Sequence, residues 1–104
     1  MLYHLDFHIE YPATISQTDL FNIWVKEAEV ALGAKAAGII VDLWKCVGTR
    51  RIIAIVDVDS PDTLDRIILD LPIMKELGHH IQIEVTSLRR YEDFAADLKQ
   101  RSTV

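Results

Sequence analysis

The segment LYHLDFHIEY, residues 2–11, alternates apolar and polar side chains without a break, and it constrains the fold more than any other stretch of the chain. Successive side chains of a β-strand point to opposite faces of the sheet, so the apolar residues must share one face. These residues are Tyr3, Leu5, Phe7, Ile9 and Tyr11, and His4, Asp6, His8 and Glu10 lie opposite. The alternation predicts a strand with one buried face, ended by Pro12.

Five further segments carry helix or strand patterns. The predicted elements are a helix over 16–38, strands over 41–48 and 50–58, a helix over 60–72, and a strand over 81–88. Ser16 suits the N-cap of the first helix and Gly38 its C-terminal stop. Ser60 suits the N-cap of the second helix, which Pro72 is predicted to close. The short gap around Gly48 indicates a hairpin between the two middle strands.

The order of these elements, β-α-β-β-α-β, predicts an α+β fold of the ferredoxin-like class, in which two helices cover one face of a four-stranded antiparallel sheet. The opposite sheet face stays apolar at Ile53 and Ile55, and Trp44 is a further candidate for that face. An exposed apolar face needs a cover. We therefore expect a second copy of the chain to pack sheet against sheet, as in dimeric α+β barrels.

The chain is interpreted as one domain with a tail. Residues 1–90 hold the six predicted elements and form the ferredoxin-like domain. Residues 91–104 carry Tyr91, Phe94 and Leu98 at helical spacing. This spacing predicts a short helix, or an arm, that packs on a neighbouring subunit.

Charge and composition narrow the range of partners. The 104 residues carry a net charge of -5 and no block of basic residues, so neither nucleic acid nor an anionic membrane is an expected partner. The single cysteine, Cys46, excludes an internal disulfide and is typical of a reducing compartment. No apolar run approaches the roughly 20 residues that span a bilayer, and the N-terminus lacks the features of a signal peptide. We therefore expect a cytoplasmic protein.

Glu27 is the most unusual residue of the first predicted helix. Residues three, four and seven positions apart are neighbours on a helix. For Glu27 such neighbours are all apolar: Leu20, Ile23, Trp24, Val30, Ala31 and Ala34. Burial among apolar side chains raises the pKa of a carboxylic acid, which favours a role as acid or base near neutral pH. The alternative is that Glu27 lies at the edge of the apolar stripe, or pairs with Lys45 or Arg50.

The histidines do not form the pattern of a metal site. His4 and His8 share a strand face but would lie about 13 Å apart, which is too far for both to bind one metal ion within one chain. His79 and His80 are adjacent, and in an extended segment they would point to opposite faces. No metal site is therefore expected.

Several short motifs resemble the muconolactone Δ-isomerase family in their order and nearly in their spacing. They are MLYH with Pro12, KEAE at 26–29, Gly38, LWKCVG at 43–48, VDVDS at 56–60, LP at 71–72 and IEVTSL at 83–88. The resemblance implies ferredoxin-like subunits that pair through their sheets and assemble further, commonly into decamers. It also implies a shift of a C=C double bond within a lactone, without metal or organic cofactor, during the breakdown of catechol-derived aromatic compounds.

The resemblance places the family's catalytic carboxylate on Glu27. The family's tyrosine and asparagine at the start of the third strand are replaced here by Arg50 and Ile52, and its arginine after the Leu-Trp pair is Lys45. We expect Arg50 and Lys45 to bind acid groups of a small anionic substrate, with Trp24 and Ile52 beside it. The alternatives are a solvated hairpin position for Arg50, an edge-strand position for Lys45, and a core or interface position for Trp24.

Three hypotheses for the function follow. The first is a cofactor-free isomerase or related lyase acting on an unsaturated lactone, with dehalogenation of a chlorinated lactone as a close variant. The second is a diverged small enzyme, such as a cyclase or a cofactor-free monooxygenase-like protein, which the changed pocket residues and the longer segment IMKELGHH at 73–80 favour. The third is a non-catalytic oligomeric binding module, in which Glu27 is only structural.

Overall fold

A computed structural model describes residues 1–102, and this part of the chain contains four strands and four α-helices. The strands are β1 (Leu2–Ile9), β2 (Ile40–Lys45), β3 (Arg51–Asp57) and β4 (Ile81–Leu88), and the helices are α1 (Gln17–Ala36), α2 (Pro61–Leu69), α3 (Pro72–Leu77) and α4 (Tyr91–Ser102). A 3₁₀ turn at Gly78–His80 leads into β4. The last two residues of the predicted tail, 103 and 104, lie outside the described residues.

The strands form one antiparallel sheet in the order β2-β3-β1-β4. Ala54 at the middle of β3 pairs with Leu5 of β1 and with Leu43 of β2, and Leu5 pairs in turn with Val85 of β4. Because paired residues of antiparallel strands share a face, the alternation of β1 continues across the whole sheet. The predicted α+β fold of the ferredoxin-like class, with its hairpin between β2 and β3, is confirmed.

The first helix begins and ends close to the residues that the sequence predicts. The Ser16 hydroxyl accepts a hydrogen bond from a backbone N–H of the first turn at 3.0 Å, which is the usual contact of an N-cap serine. Gly38 has a φ of 83°, a conformation that residues with a Cβ rarely adopt. Beyond it, the Ile39 N–H donates to the Ala34 carbonyl at 3.0 Å and closes the helix end. These caps fix the helix on which Glu27 lies.

The prediction that Pro72 closes the second helix is wrong, because this proline begins another one. α2 ends at Leu69, and the chain turns through Asp70 and Leu71 before α3 starts. A proline suits the first helical position, where its missing N–H would have no partner within the helix. The segment 73–80 therefore continues α3 and forms the 3₁₀ turn, and α3 packs against α1 as a third helix beside the predicted two.

Buried side chains form two clusters between the helices and the sheet. One cluster lies between α2 and the sheet and includes Leu5, Val56 and Leu64. The other joins α1, α3 and the end of β1, and includes Leu20 and Ile73. Leu20 is the only fully buried residue of α1. The rest of α1 therefore leaves room between itself and the sheet.

The outer face of the sheet, opposite the helices, carries exposed apolar side chains. Trp44 is 51% exposed and pairs with Ile53, which is half-buried like Ile55. The same face holds Asp6, whose buried carboxylate accepts hydrogen bonds from the Arg51 guanidinium at 2.8 and 2.5 Å. The predicted placement of Trp44, Ile53 and Ile55 on this face is confirmed. Its burial against a second copy of the chain stays a prediction.

The C-terminal helix α4 makes few contacts with the rest of the chain. Its residues Tyr91, Phe94 and Leu98 are all exposed. The chain is elongated as a result, measuring 63 Å along its longest axis and 26 and 21 Å across. The predicted short helix is confirmed, whereas its packing on a neighbouring subunit stays a prediction. No helix within residues 1–102 combines the length and the hydropathy needed to cross a membrane.

Candidate active site

A cavity of about 400 Å³ lies between α1, α2 and the helix-facing side of the sheet. On the helix side it is lined by three alanines of α1, Ala28, Ala31 and Ala34, and on the sheet side by Ala54 of β3. Protein interiors are otherwise closely packed, so small residues on facing elements leave the space that larger side chains would fill. The volume lies in the range that holds drug-sized ligands.

Glu27 supplies the only carboxylate among the described residues that line this cavity. Apart from Glu27 and Lys45, every lining side chain is apolar. The Glu27 side chain is half-buried, and its Oε2 accepts a hydrogen bond from the backbone N–H of Ile73 at 3.2 Å. No ion pair within residues 1–102 includes Glu27. The carboxylate is thus oriented by a neutral donor rather than neutralised by a cation.

Two opposing effects set the protonation of Glu27. Burial raises the pKa of its carboxyl group above the ordinary value, and the hydrogen bond from the Ile73 N–H lowers it by a smaller amount. Burial disfavours the charged form because an apolar environment solvates a carboxylate poorly. The net result is a raised pKa, as the sequence pattern of apolar neighbours suggested. A carboxyl group of this kind can take up and release a proton more readily near neutral pH.

The donor to Glu27 comes from the segment whose helix the sequence did not predict. Ile73 follows Pro72 in the first turn of α3, where the backbone N–H groups have no partners within the helix. The buried side chains of Ile73 and Leu77 anchor α3 beneath α1, and Lys26 Nζ lies 3.4 Å from Glu76 Oε1 on the surface. The proline at residue 72 was the available signal, since proline is common at the first position of a helix.

Lys45, Trp24 and Ile52 line the same cavity as Glu27, so the structure brings these four predicted site residues together. Lys45 is exposed at the end of β2, and its Nζ donates to the carbonyl oxygen of Cys46 at 3.0 Å. Trp24 lies on α1, three residues before Glu27, and is half-buried. Ile52 of β3 pairs with Lys45, so both side chains point to the helix-facing side of the sheet.

Arg50, the remaining predicted site residue, lies apart from the Glu27 cavity. Its guanidinium carbon stands 4.9 Å from the centre of the Tyr11 ring, in a cation–π contact. Arg50 also lines a separate, more polar cavity of about 470 Å³ beside the β2–β3 hairpin, together with His8, Glu10 and Arg51. The expected joint contact of Arg50 and Lys45 with one substrate is therefore not present in this arrangement of side chains.

The remaining titratable groups do not build a second centre of the kind seen at Glu27. Asp6 binds Arg51, which holds the pKa of its carboxyl group below the usual value, and His8 Nε2 lies 3.3 Å from Asp6 Oδ1. Within residues 1–102 no group of three or more His, Cys, Asp or Glu side chains is placed to hold a metal ion. The arrangement around Glu27 is suited to moving a proton on a ligand held against apolar walls.

A family profile and a solved structure support this fold. The sequence profile of the muconolactone delta-isomerase family matches residues 1–93. A crystal structure of muconolactone isomerase superposes with a TM-score of 0.74 at 24% identity, over 86% of this chain and 90% of that one. The crystal structure of protein Atu4242 from Agrobacterium tumefaciens aligns with a TM-score of 0.46 at 16% identity, over 88% and 96% of the two chains. Comparison with curated proteins finds no match.

Proposed function

The chain belongs to the muconolactone delta-isomerase family, and from that membership we propose that it shifts a C=C double bond in an unsaturated lactone by proton transfer at Glu27. The observation that carries the proposal is the half-buried Glu27 carboxylate in an apolar cavity, held by a backbone N–H and paired with no cation of residues 1–102. Perturbed carboxylic acids in clefts are candidates for general acid–base catalysis.

The proposed reaction needs one base and no redox partner. The Glu27 carboxylate removes a proton from a carbon atom conjugated with the lactone carbonyl. The C–H bond breaks, and its electron pair delocalises into a dienolate. The resulting Glu27 carboxylic acid then returns the proton to another carbon of the same conjugated system, which completes the double-bond shift. Atoms and charge balance within the substrate and Glu27, so the proposal includes no cofactor.

Neighbouring residues have supporting roles in the proposal. Lys45, at the end of β2, is the cation of the cavity wall and is proposed to bind an acid group of the substrate. Trp24 lines the same cavity, and its indole N–H is proposed to donate to the developing enolate oxygen. Ile52 forms part of the apolar wall. Arg50 is proposed to attract an anionic substrate towards the site without binding it in the cavity, because its guanidinium stacks on Tyr11 outside the cavity.

The proposal extends to assembly and cellular setting. The exposed Trp44 beside Ile53 and Ile55 favours a homodimer joined through the outer sheet faces. The exposed apolar residues of α4 favour a further contact with a neighbouring subunit, in an oligomer as large as a decamer. A cytoplasmic role in the breakdown of catechol-derived aromatic compounds fits this family and is proposed for the chain.

The test uses muconolactone in deuterated water, followed by NMR. Wild-type protein is expected to convert the lactone to its double-bond isomer and to introduce solvent deuterium at the reacting carbons. Glu27→Gln removes the base, and we expect it to lower the rate by roughly 10²–10⁴-fold. Glu29→Gln is the matched control, because Glu29 is exposed on the same helix and should leave the rate unchanged.

Two results would contradict the proposal. One is wild-type protein that neither isomerises a lactone nor exchanges a carbon-bound proton with solvent. The other is isomerisation that proceeds equally well in the Glu27→Gln variant. The first result, with an intact far-UV circular dichroism spectrum, would leave the cyclase-type enzyme or the binding module as the better account of the cavity. The second would leave an isomerase whose base is not Glu27.

A further inference from the structure

The inner wall and the rim of the Glu27 cavity differ in chemistry. The inner wall is formed by buried apolar residues, among them Leu5, Ala54, Val56, Leu64 and Ile68. Lys45 lies at the rim, because it is exposed and its ammonium group donates to the Cys46 carbonyl at the end of β2. A ligand that enters past Lys45 therefore meets hydrocarbon on the sheet side and a carboxylate on the helix side.

Charge restricts what this inner space can hold. An ionised acid group placed there would have no cation beside it, and the like charge of the Glu27 carboxylate would repel it. Trp24 lines the cavity from the helix side, and its indole N–H is a neutral donor. A neutral donor suits a carbonyl oxygen rather than a carboxylate. An acid group of a ligand can thus be matched by opposite charge only at the Lys45 rim.

The volume of the cavity also favours a ligand with a hydrocarbon part. The space of about 400 Å³ lies in the range of cavities that hold drug-sized ligands. A small acidic lactone bound at the rim would leave much of the apolar wall in contact with water. Removing that wall from water is favourable in proportion to the area covered. A ligand with its own hydrocarbon surface would obtain this stabilisation.

We propose that the substrate is an unsaturated lactone, or a related unsaturated carbonyl compound, that carries an uncharged hydrocarbon group filling the inner cavity. Its carbonyl end lies beside Glu27, and an acid group, if the substrate has one, lies at Lys45. This proposal rests on the proposed function, because it assumes that Glu27 moves a proton next to the carbonyl. It specifies a larger and more apolar substrate than muconolactone.

The first test measures binding with compounds that cannot react. A series of saturated γ-lactones with n-alkyl chains of increasing length is titrated against wild-type protein, and tryptophan fluorescence reports occupation of the cavity beside Trp24. Affinity is expected to rise about fourfold with each methylene group until the cavity is full. A saturated lactone whose alkyl chain ends in a carboxylate would place that charge in the inner cavity, so it should bind more weakly than the alkyl lactone of equal length. A flat series, or tighter binding of the acid, would overturn the proposal.

A pair of variants separates the cavity from adventitious apolar surface. Ala31→Leu narrows the cavity and should shorten, by about three methylene groups, the chain length at which affinity stops rising, since leucine adds three carbon atoms. Ala36→Leu is the matched control, because Ala36 is exposed on the same helix. Its series should match that of the wild type. If both variants gave the same series, the lactones would be binding outside the cavity and the proposal would fail.

Turnover distinguishes failure of this proposal from failure of the proposed function. The corresponding unsaturated alkyl lactones should be isomerised with a higher kcat/KM than muconolactone, by about fourfold for each methylene group beyond equal length. Efficient turnover of muconolactone without any chain-length trend would overturn the hydrocarbon substrate and leave the isomerase. A clear chain-length trend in binding without isomerisation of any lactone would overturn the isomerase, and with it the reaction assumed here.

Discussion

Replacing Glu27 by glutamine is expected to remove activity and at the same time to make the fold more resistant to unfolding at neutral pH. The carboxylate is half-buried against apolar side chains, where its charged form is poorly solvated. Glutamine has nearly the same shape, carries no charge, and keeps an oxygen that can accept the Ile73 N–H now 3.2 Å from Glu27 Oε2. The substitution thus removes an unfavourable charge without removing a hydrogen bond.

The pH dependence of this effect has a definite sign. Burial raises the pKa of folded Glu27 above that of the unfolded chain, so between the two values the folded state holds a proton that the unfolded state has released. The stability contributed by this protonation is complete below the unfolded-state pKa and is lost as pH rises through the raised folded-state pKa. The free energy of unfolding of the wild type should therefore fall across this window, relative to that of Glu27→Gln.

Glu27→Ala gives the contrasting case. Alanine also removes the charge, but it leaves the Ile73 N–H without its acceptor. A polar group left unsatisfied costs about 1–3 kcal/mol, and the lower end applies here because the contact is only partly buried and water can reach it. For a domain of this size, about 1 kcal/mol lowers the unfolding temperature by about 4–8 °C. Glu27→Ala should unfold below Glu27→Gln by about that interval.

Thermal and urea unfolding followed by circular dichroism would measure these differences, at one protein concentration and over a series of pH values. Glu29→Gln serves as the control, since its exposed carboxylate should leave the pH profile of the wild type unchanged. The reasoning is refuted if Glu27→Gln and wild type have parallel profiles across the whole range. Parallel profiles would mean that folding does not desolvate this carboxylate.

Three further predictions concern rate, acid stability and assembly. The kcat/KM of the isomerisation should rise with pH through a value above the ordinary glutamate pKa, because Glu27 must be ionised to accept a proton. A kcat/KM that stays constant as the pH is lowered through this range would contradict the prediction. Asp6 has a lowered pKa beside Arg51, so its contribution to stability should be lost as pH falls through that lowered value, and Asp6→Asn should unfold with less acid dependence. Ile55→Asp on the outer sheet face should reduce the assembly mass in sedimentation and leave the far-UV circular dichroism spectrum intact. Deletion of residues 91–104 should also reduce that mass, with a loss of far-UV signal no larger than helix α4 accounts for. An unchanged mass in both variants would exclude these surfaces as interfaces.

The elements that the sequence predicted well are those whose local signals agree with their packing. In β1 the alternation of apolar and polar side chains matches the two faces of the sheet, so pattern and burial favour the same register. In α1 the Ser16 and Gly38 caps are local contacts, formed within a few residues, and they placed both helix ends nearly correctly. Such signals need no knowledge of distant parts of the chain.

The third helix, α3, could not be predicted from local signals of this kind. A proline ends a preceding helix and suits the first position of a following one, so Pro72 fits both interpretations equally. α3 has six residues, too few for helical periodicity to stand out. Its stability comes from Ile73 and Leu77, which are buried in the cluster shared with α1. That contact joins residues more than fifty positions apart, such as Leu20 and Ile73, and no local pattern encodes it.

In the candidate site, too, some features follow from local sequence patterns and others depend on distant parts of the chain. The apolar neighbours of Glu27 follow from helical spacing alone, and four of the six predicted ones line the cavity: Trp24, Val30, Ala31 and Ala34. The other two, Leu20 and Ile23, pack in the cluster shared with α3. The position of Arg50 does not follow from spacing, because the hairpin geometry and the Tyr11 ring decide where its long side chain lies. The Ile73 donor is still harder to predict, since a backbone N–H is present at nearly every residue and its sequence letter says nothing about its use.

Under the proposed function, Glu27 must be both oriented and reactive, and the backbone donor and the cavity together meet that requirement. A cation beside Glu27 would hold it in place but would also lower its pKa and favour a permanently ionised group. A single backbone N–H at Oε2 orients the carboxylate and lowers its pKa by less than burial raises it, so the pKa stays raised. Under the proposed function, the other oxygen, Oε1, exchanges the proton with the ligand. On this view α3 is a positioning element, and the buried anchors Ile73 and Leu77 matter to the chemistry because they fix that one amide.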